Sequence, residues 1–118
     1  MTVHARIIDA CLAASTHARH VAAYLDGALE LRGREGVPAS DSDRYEELIV
    51  NPTLLTLLRQ RGDIDRGGCH HVVVAYGTFF AFVYPVAGGH VTVGFEPGTP
   101  LDAEIPRMVE LIERIRAG

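Results

Sequence analysis

Residues 67–95, GGCHHVVVAYGTFFAFVYPVAGGHVTVGF, contain no Asp, Glu, Lys or Arg, yet turn residues break them at Tyr76-Gly77-Thr78 and at Pro85-Val86-Ala87-Gly88-Gly89. A membrane span of this length would have to be one helix, because lipid offers backbone groups no partner but each other, and such regular Gly-marked breaks do not suit that. Three short strands fit better. His70 to Tyr76, Thr78 to Pro85 and His90 to Glu96 are each strand-length and rich in Val, Phe and Tyr, side chains suited to a pleated surface. The first two carry apolar residues at both parities, which predicts a meander covered on both faces. The third alternates Val91, Val93, Phe95 with Thr92, Gly94, Glu96, and is expected to be buried more on one side.

A chain of 118 residues is long enough for one core and too short for two, so a single domain over 1–118 is expected. With 11 basic against 15 acidic residues, a net charge of -4, it has no basic field for a phosphate backbone, which argues against nucleic acid. Every basic residue is Arg. A chain without lysine cannot build a phosphate loop ending in Gly-Lys, a Schiff base or a Ser-Lys pair. Only Cys11 and Cys69 occur, and MTVHARIIDA lacks the apolar run of a secretion signal; free thiols, a cytoplasmic location and no membrane span are the expectation.

Ile7, Ile8, Cys11, Leu12 and Ala14 share one helical stripe over residues 4–16. Ala18, Val21, Leu25 and Leu29 could extend that helix to about Arg32. Asp26-Gly27 argues instead for a type I′ hairpin turn, because both central residues need positive φ, and residues 28–32 alternate apolar and polar. The hairpin is the reading adopted. Gly33 to Ser42 reads as a surface loop. A helix then starts at a cap supplied by Ser42 or Asp41, and Asn51-Pro52 interrupts it, either as a kink or as a restart with Asn51 capping and Pro52 first. Leu54, Leu55, Leu57 and Leu58 are apolar over more than one stripe, which predicts a partner beyond the sheet, most simply a second subunit. Arg59 to Gly68 reads as a charged exit loop. The last helix starts around Thr99 to Asp102, with Pro106 in or near its first turn. Its apolar stripe is Leu101, Ile105, Met108, Val109, Ile112 and Ile115, set against Glu104, Arg107, Glu110, Glu113 and Arg114.

The one dense set of metal-ligand side chains is Cys69, His70, His71 and His90. Adjacent strand residues face opposite ways, so His70 and His71 should not share a site, and two strand spacings put His90 about 10 Å off. No further Cys or carboxylate sits at the usual ligand spacing, so no metal is assigned and these residues are read as strand or turn ends. His4, His17 and His20 read as surface residues. Ser15, Ser40 and Ser42 lie in no Gly-x-Ser-x-Gly turn, and adjacent Glu46 and Glu47 cannot face each other on a helix. No catalytic residue, acid–base pair or cofactor is assigned. Gly94 and Gly88-Gly89 read as loop or close-packing glycines rather than phosphate binders, since no helix follows them.

The resulting order, α-β-β-α-β-β-β-α, makes an α+β chain. HVAAYLDGALELRGREG at 20–36, DRYEELIVNPTLLTLLRQRGDI at 43–64 and HHVVVAYGTFFAFVYPVAGGHVTVGFEPGTPLDAEI at 70–105 resemble the first hairpin, long second helix and meander of the roadblock, or dynein light-chain-like, family. The resemblance spans the chain and implies a three-layer, profilin- or longin-type domain around an antiparallel sheet. It also implies a non-catalytic homodimer, joined edge to edge through the second strand and across the second helices, that regulates a small Ras-like GTPase. Carried onto this sequence, Leu29, Leu31, Leu54, Leu55 and Leu58 are the expected dimer interface, and exposed Arg44, Glu47, Thr56 and Arg59 the expected partner surface. The competing reading is a profilin- or GAF-like sensing domain whose cavity is lined by Phe79, Phe80, Phe82 and Tyr84. A gene neighbour encoding a small GTPase would favour the first reading, and a neighbouring or fused kinase the second.

Overall fold

The computed structural model describes residues Met1–Gly118. Helix α1 (Val3–Ala14) leads into a hairpin, β1 (Ala18–Leu25) and β2 (Ala28–Gly33). A long helical segment follows: α2 (Asp41–Tyr45), a π-helical turn (Glu46–Val50) and α3 (Asn51–Asp65). The meander β3 (Val72–Ala75), β4 (Phe80–Val86) and β5 (Gly89–Phe95) then runs into α4 (Leu101–Ala117). All five strands form one antiparallel sheet in the order β2-β1-β5-β4-β3. Helices α1 and α4 cover one face and α2–α3 lies on the other, giving three layers.

The hairpin is resolved by its turn chemistry. Asp26 and Gly27 have φ of 51° and 82°, the left-handed pair a type I′ turn requires, and the Asp26 amide donates to the Gly88 carbonyl at 2.9 Å. Alternation then sorts the side chains. Val21, Ala23, Leu25, Phe82, Tyr84, Val86, Val91, Val93 and Phe95 point at α1 and α4, where Ile7, Ile8, Cys11, Met108 and Ile112 complete the core. Thr2 caps α1, accepting from the Ala5 amide at 3.0 Å.

Covering is uneven at the meander's edge. Val73 and Ala75 of β3 are exposed, so the expectation of a strand covered on both faces holds for β4 and fails for β3, whereas β5, expected to be buried more on one side, is buried on both because the second helix covers His90 and Thr92.

The second helix departs most from expectation. Its cap is Ser40, not Ser42 or Asp41. Ser40 Oγ accepts from the Asp43 amide at 3.2 Å while Asp43 Oδ2 accepts from the Ser40 amide at 2.9 Å, a reciprocal capping box. Asn51-Pro52 does not break it either. Pro52 has no amide to donate, and in a regular helix its ring would clash with the carbonyl of Leu48. The π-helical turn widens the chain just before the proline, and the Asn51 amide donates five residues back to Glu46. Asn51 stays helical at φ -66°, ψ -42°, despite the usual bias of a residue before proline.

Residues 59–65, expected in an exit loop, continue α3. Gly62 suggests a loop but serves close packing. Its carbonyl accepts from the amides of Arg66 (2.9 Å) and Gly68 (3.1 Å), and any Cβ on Gly62 would overlap the Gly68 backbone. In α4, Pro106 lies inside the helix rather than in its first turn. The Asp102 carbonyl that loses its donor is on an exposed residue, within reach of water. Glu104, expected on the polar side, is buried, with one oxygen 3.5 Å from Arg107 Nη1.

Candidate functional site

The layer formed by α2–α3 and the sheet face beneath it holds the polar chemistry of the molecule. The sheet residues here are small: Ala22, Ala81, Thr92 and Gly94 are all fully or almost fully buried. Small side chains let the helix approach closely enough to bury Glu47, which is 1% exposed. Its Oε1 accepts from His90 Nε2 at 2.9 Å, Thr92 Oγ1 at 2.6 Å and Asn51 Nδ2 at 3.0 Å. Asn51 Nδ2 also donates to Thr92 Oγ1 at 3.2 Å. A carboxylate this deep persists only if hydrogen bonds replace its lost water, and three donors on one oxygen do so.

Two expectations are corrected here. Glu47 is not an exposed partner contact but the centre of a buried network. His90 is not a turn residue reaching solvent. It is 2% exposed, and its imidazole locks β5 to the π-helical turn. Sequence carried no signal for either, since His90 and Thr92 keep the polar positions of the alternation along β5 and Glu47 sits among acidic helix residues.

Beside this network, at the start of the helix, is an open cavity of about 350 Å³ between α2, the π-helical turn and the β3–β4 loop. His20 lines it, 7% exposed, its ring stacked where a Cβ on Gly94 would lie and edge-on to Phe79 at 5.3 Å between centroids. Burial lowers its pKa; Asp43 and Glu47 oppose that. Sequence alone puts His20 on the surface, and the fold makes it an interior residue because it faces inward beside a glycine. Across the cavity Tyr76 donates to Glu46 Oε1 at 2.7 Å. Burial and this bond push the Tyr76 hydroxyl up to about 12, and burial raises Glu46 despite the hydroxyl's help.

The sensing-domain cavity does not form from the aromatic residues assigned to it. Phe82 and Tyr84 are in the core and Phe80 packs against it, leaving Phe79 alone at a cavity wall. Near β3, His70 and His71 precede the strand, so alternation does not separate them. Their Nδ1 atoms are 2.8 Å apart, one donating to the other. No three His, Cys, Asp or Glu side chains come together in a way that could hold a metal ion. Cys11 and Cys69 are both free, and burial pushes the Cys11 thiol up to about 12.

The outward side of α2–α3 is a different kind of surface. Tyr45 (60% exposed), Ile49 (50%), Leu57 (60%) and Leu58 (38%) present apolar groups to solvent. Leu54 is half-buried, as are Leu29 and Leu31 on edge strand β2. Leu55 is the exception among the expected interface residues. At 5% exposure it packs inward and has little left to offer a second subunit. Of the expected partner residues, Arg44, Thr56 and Arg59 are exposed.

Solved structures share this architecture. A roadblock/LC7 domain from Streptomyces avermitilis superposes with a TM-score of 0.75 at 17% identity, covering 94% of this chain and 92% of that one. The chain has the roadblock fold. MglB in a tetrameric arrangement matches at TM-score 0.66 and 16% identity over 98% of this chain and 90% of that one. The gliding protein MglB from Thermus thermophilus matches at 0.61 and 18% identity over 98% and 91%. No protein-family profile and no curated protein matches the sequence. The roadblock fold is therefore reached through element order, which is legible in the chain despite such low identity. No helix is long and apolar enough to cross a membrane.

Proposed function

We propose that this roadblock-fold chain is a non-catalytic homodimeric regulator that binds a small Ras-like GTPase. The observation that carries the reading is the two-sided helix. Its inner side is committed to the sheet through Glu47, Asn51 and Leu55, while its outer side leaves Tyr45, Ile49, Leu57 and Leu58 in water. Exposed apolar groups concentrated on one element mark a contact surface. Edge strand β2 adds unpaired backbone groups on its outer side, a second means of self-association. The tetrameric arrangement of one MglB structure supports assembly through this fold.

A two-fold dimer would place two copies of Arg44, Thr56 and Arg59 around its axis, so one partner molecule could straddle both subunits. The GTPase itself is proposed from the resemblance of the hairpin, second helix and meander to roadblock sequences. A pull-down from native cytoplasm with wild type and a dimer-competent Arg59→Glu variant tests it. Recovery of a Ras-like GTPase by wild type alone supports the reading; equal recovery by both takes Arg59 out of the contact, and recovery by neither removes the reading.

A further inference from the structure

The cavity beside the buried network presents a ligand with a surplus of charged acceptors. Asp43 engages Ser40 through Oδ2, Glu46 receives Tyr76 on Oε1, and Glu47 receives all three of its donors on Oε1. No protein donor reaches the second oxygen of any of the three. Of the hydroxyls that line it, Tyr76 is spent on Glu46 and Thr92 on Glu47, which leaves Ser42 and Thr78 exposed at the mouth. His20 is the independent sign of a missing partner. Its ring is more than nine-tenths buried, lines the cavity, and has no hydrogen bond to any protein group. Burial keeps that imidazole neutral near pH 7, so one nitrogen is a free acceptor.

The charges around the cavity are as one-sided as its hydrogen bonding. Asp43, Glu46 and Glu47 face it, and Arg19, the cation at its rim, is already paired. Arg19 lies 3.8 Å from Glu96, donates to the Thr78 carbonyl at 3.4 Å and covers Phe79 from 5.3 Å. A ligand that completes this site must bring positive charge and several N–H donors, and an apolar stem would lie along Phe79. A cavity of about 350 Å³ suits a compact molecule.

We propose that the cavity bounded by His20, Asp43, Glu46, Glu47, Tyr76 and Phe79 is a binding site for a small organic cation of the guanidinium or primary ammonium class. The site belongs to one chain and does not depend on a dimer or on a GTPase, so its test is separate from theirs.

Agmatine, a guanidinium carried on a butylamine stem, is a suitable probe for calorimetric titration of the full chain, with the His20 ring protons followed by NMR as a second readout. The expected result is one saturable site per chain, with the His20 signals moving as it fills. Loss of a charge-assisted bond in Glu46→Gln should weaken binding about tenfold or more. That variant keeps an acceptor for Tyr76 and is expected to fold. Glu110→Gln, which removes an exposed carboxylate from α4, should leave binding unchanged. Absence of saturable agmatine binding up to about 10 mM, beyond weak millimolar affinity, would overturn the proposal. Equal weakening by both variants would reduce the effect to bulk charge and overturn it too. So would displacement of agmatine by magnesium chloride but not by sodium chloride at matched ionic strength, which would assign the site to an inorganic ion.

Discussion

His90 Nε2 donates to Glu47 Oε1 across 2.9 Å, tying the central strand of the sheet to the π-helical turn of the second helix. This bond holds the helix in register on the sheet at the point where Pro52 would otherwise disrupt it. Asn51, helical against the bias of its following proline, is held by the same carboxylate.

Removing that carboxylate should be costly. Glu47→Ala leaves His90 and Thr92 without their acceptor and Asn51 with Thr92 Oγ1 alone, and orphaned buried donors cost about 1–3 kcal/mol each. A loss of about 3 kcal/mol or more in urea unfolding is expected, with a smaller loss for Glu47→Gln, which keeps an acceptor oxygen. A loss below about 1 kcal/mol would show that the network adds little.

Gly62→Ala should destabilise the protein. In an ordinary helix interior this change gains about 1 kcal/mol, because Ala is the better helix former. Here the new Cβ would overlap the Gly68 carbonyl, a backbone group that cannot swing aside. A melting temperature raised by Gly62→Ala would refute the packing role given to this residue.

Two leucines three residues apart should respond differently to the same substitution. Leu55→Arg puts an unpaired charge under the helix and should unfold the chain, at a cost of several kcal/mol or about that order. Leu58→Arg alters the outer side and should leave the fold intact while shifting dimer to monomer in light scattering at micromolar concentration. A wild-type chain that is monomeric at every concentration would defeat the dimer.

Stability should fall as the solution is acidified below the ordinary histidine pKa of 6.5. His20 has a folded-state pKa below that value because burial disfavours its charged form, so in the window beneath 6.5 the unfolded chain binds the proton first. Its contribution is therefore present above 6.5 and declines as pH falls toward the folded-state pKa. Asp43, Glu47 and Glu96 work against the depression and Arg19 works with it. His71, lowered chiefly by burial, adds in the same direction. Denaturation at several pH values should give a shallower decline for His20→Gln than for wild type; identical slopes would sink the assignment to His20.

What the sequence determined by itself is mostly what repeats locally. The uncharged stretch with its turn breaks specifies a meander, Asp26-Gly27 specifies a hairpin because few other residues accept positive φ, and the stripes at Ile7 to Leu12 and Leu101 to Ile115 specify helices with one buried side. That order alone led to the roadblock fold. The tertiary structure decided whatever depends on contacts between residues far apart in the chain. Gly62 reads as a helix breaker until the Gly68 backbone is folded against it, and Pro52 reads as a break until a buried carboxylate, a strand histidine and a strand threonine pin the widened turn in place. Glu47 and His90 are separated by 43 positions, and each alone looks like a surface residue. Only the small side chains of Ala22, Ala81 and Gly94 bring helix and sheet close enough for a charge to be buried between them, and period and propensity do not encode that distance.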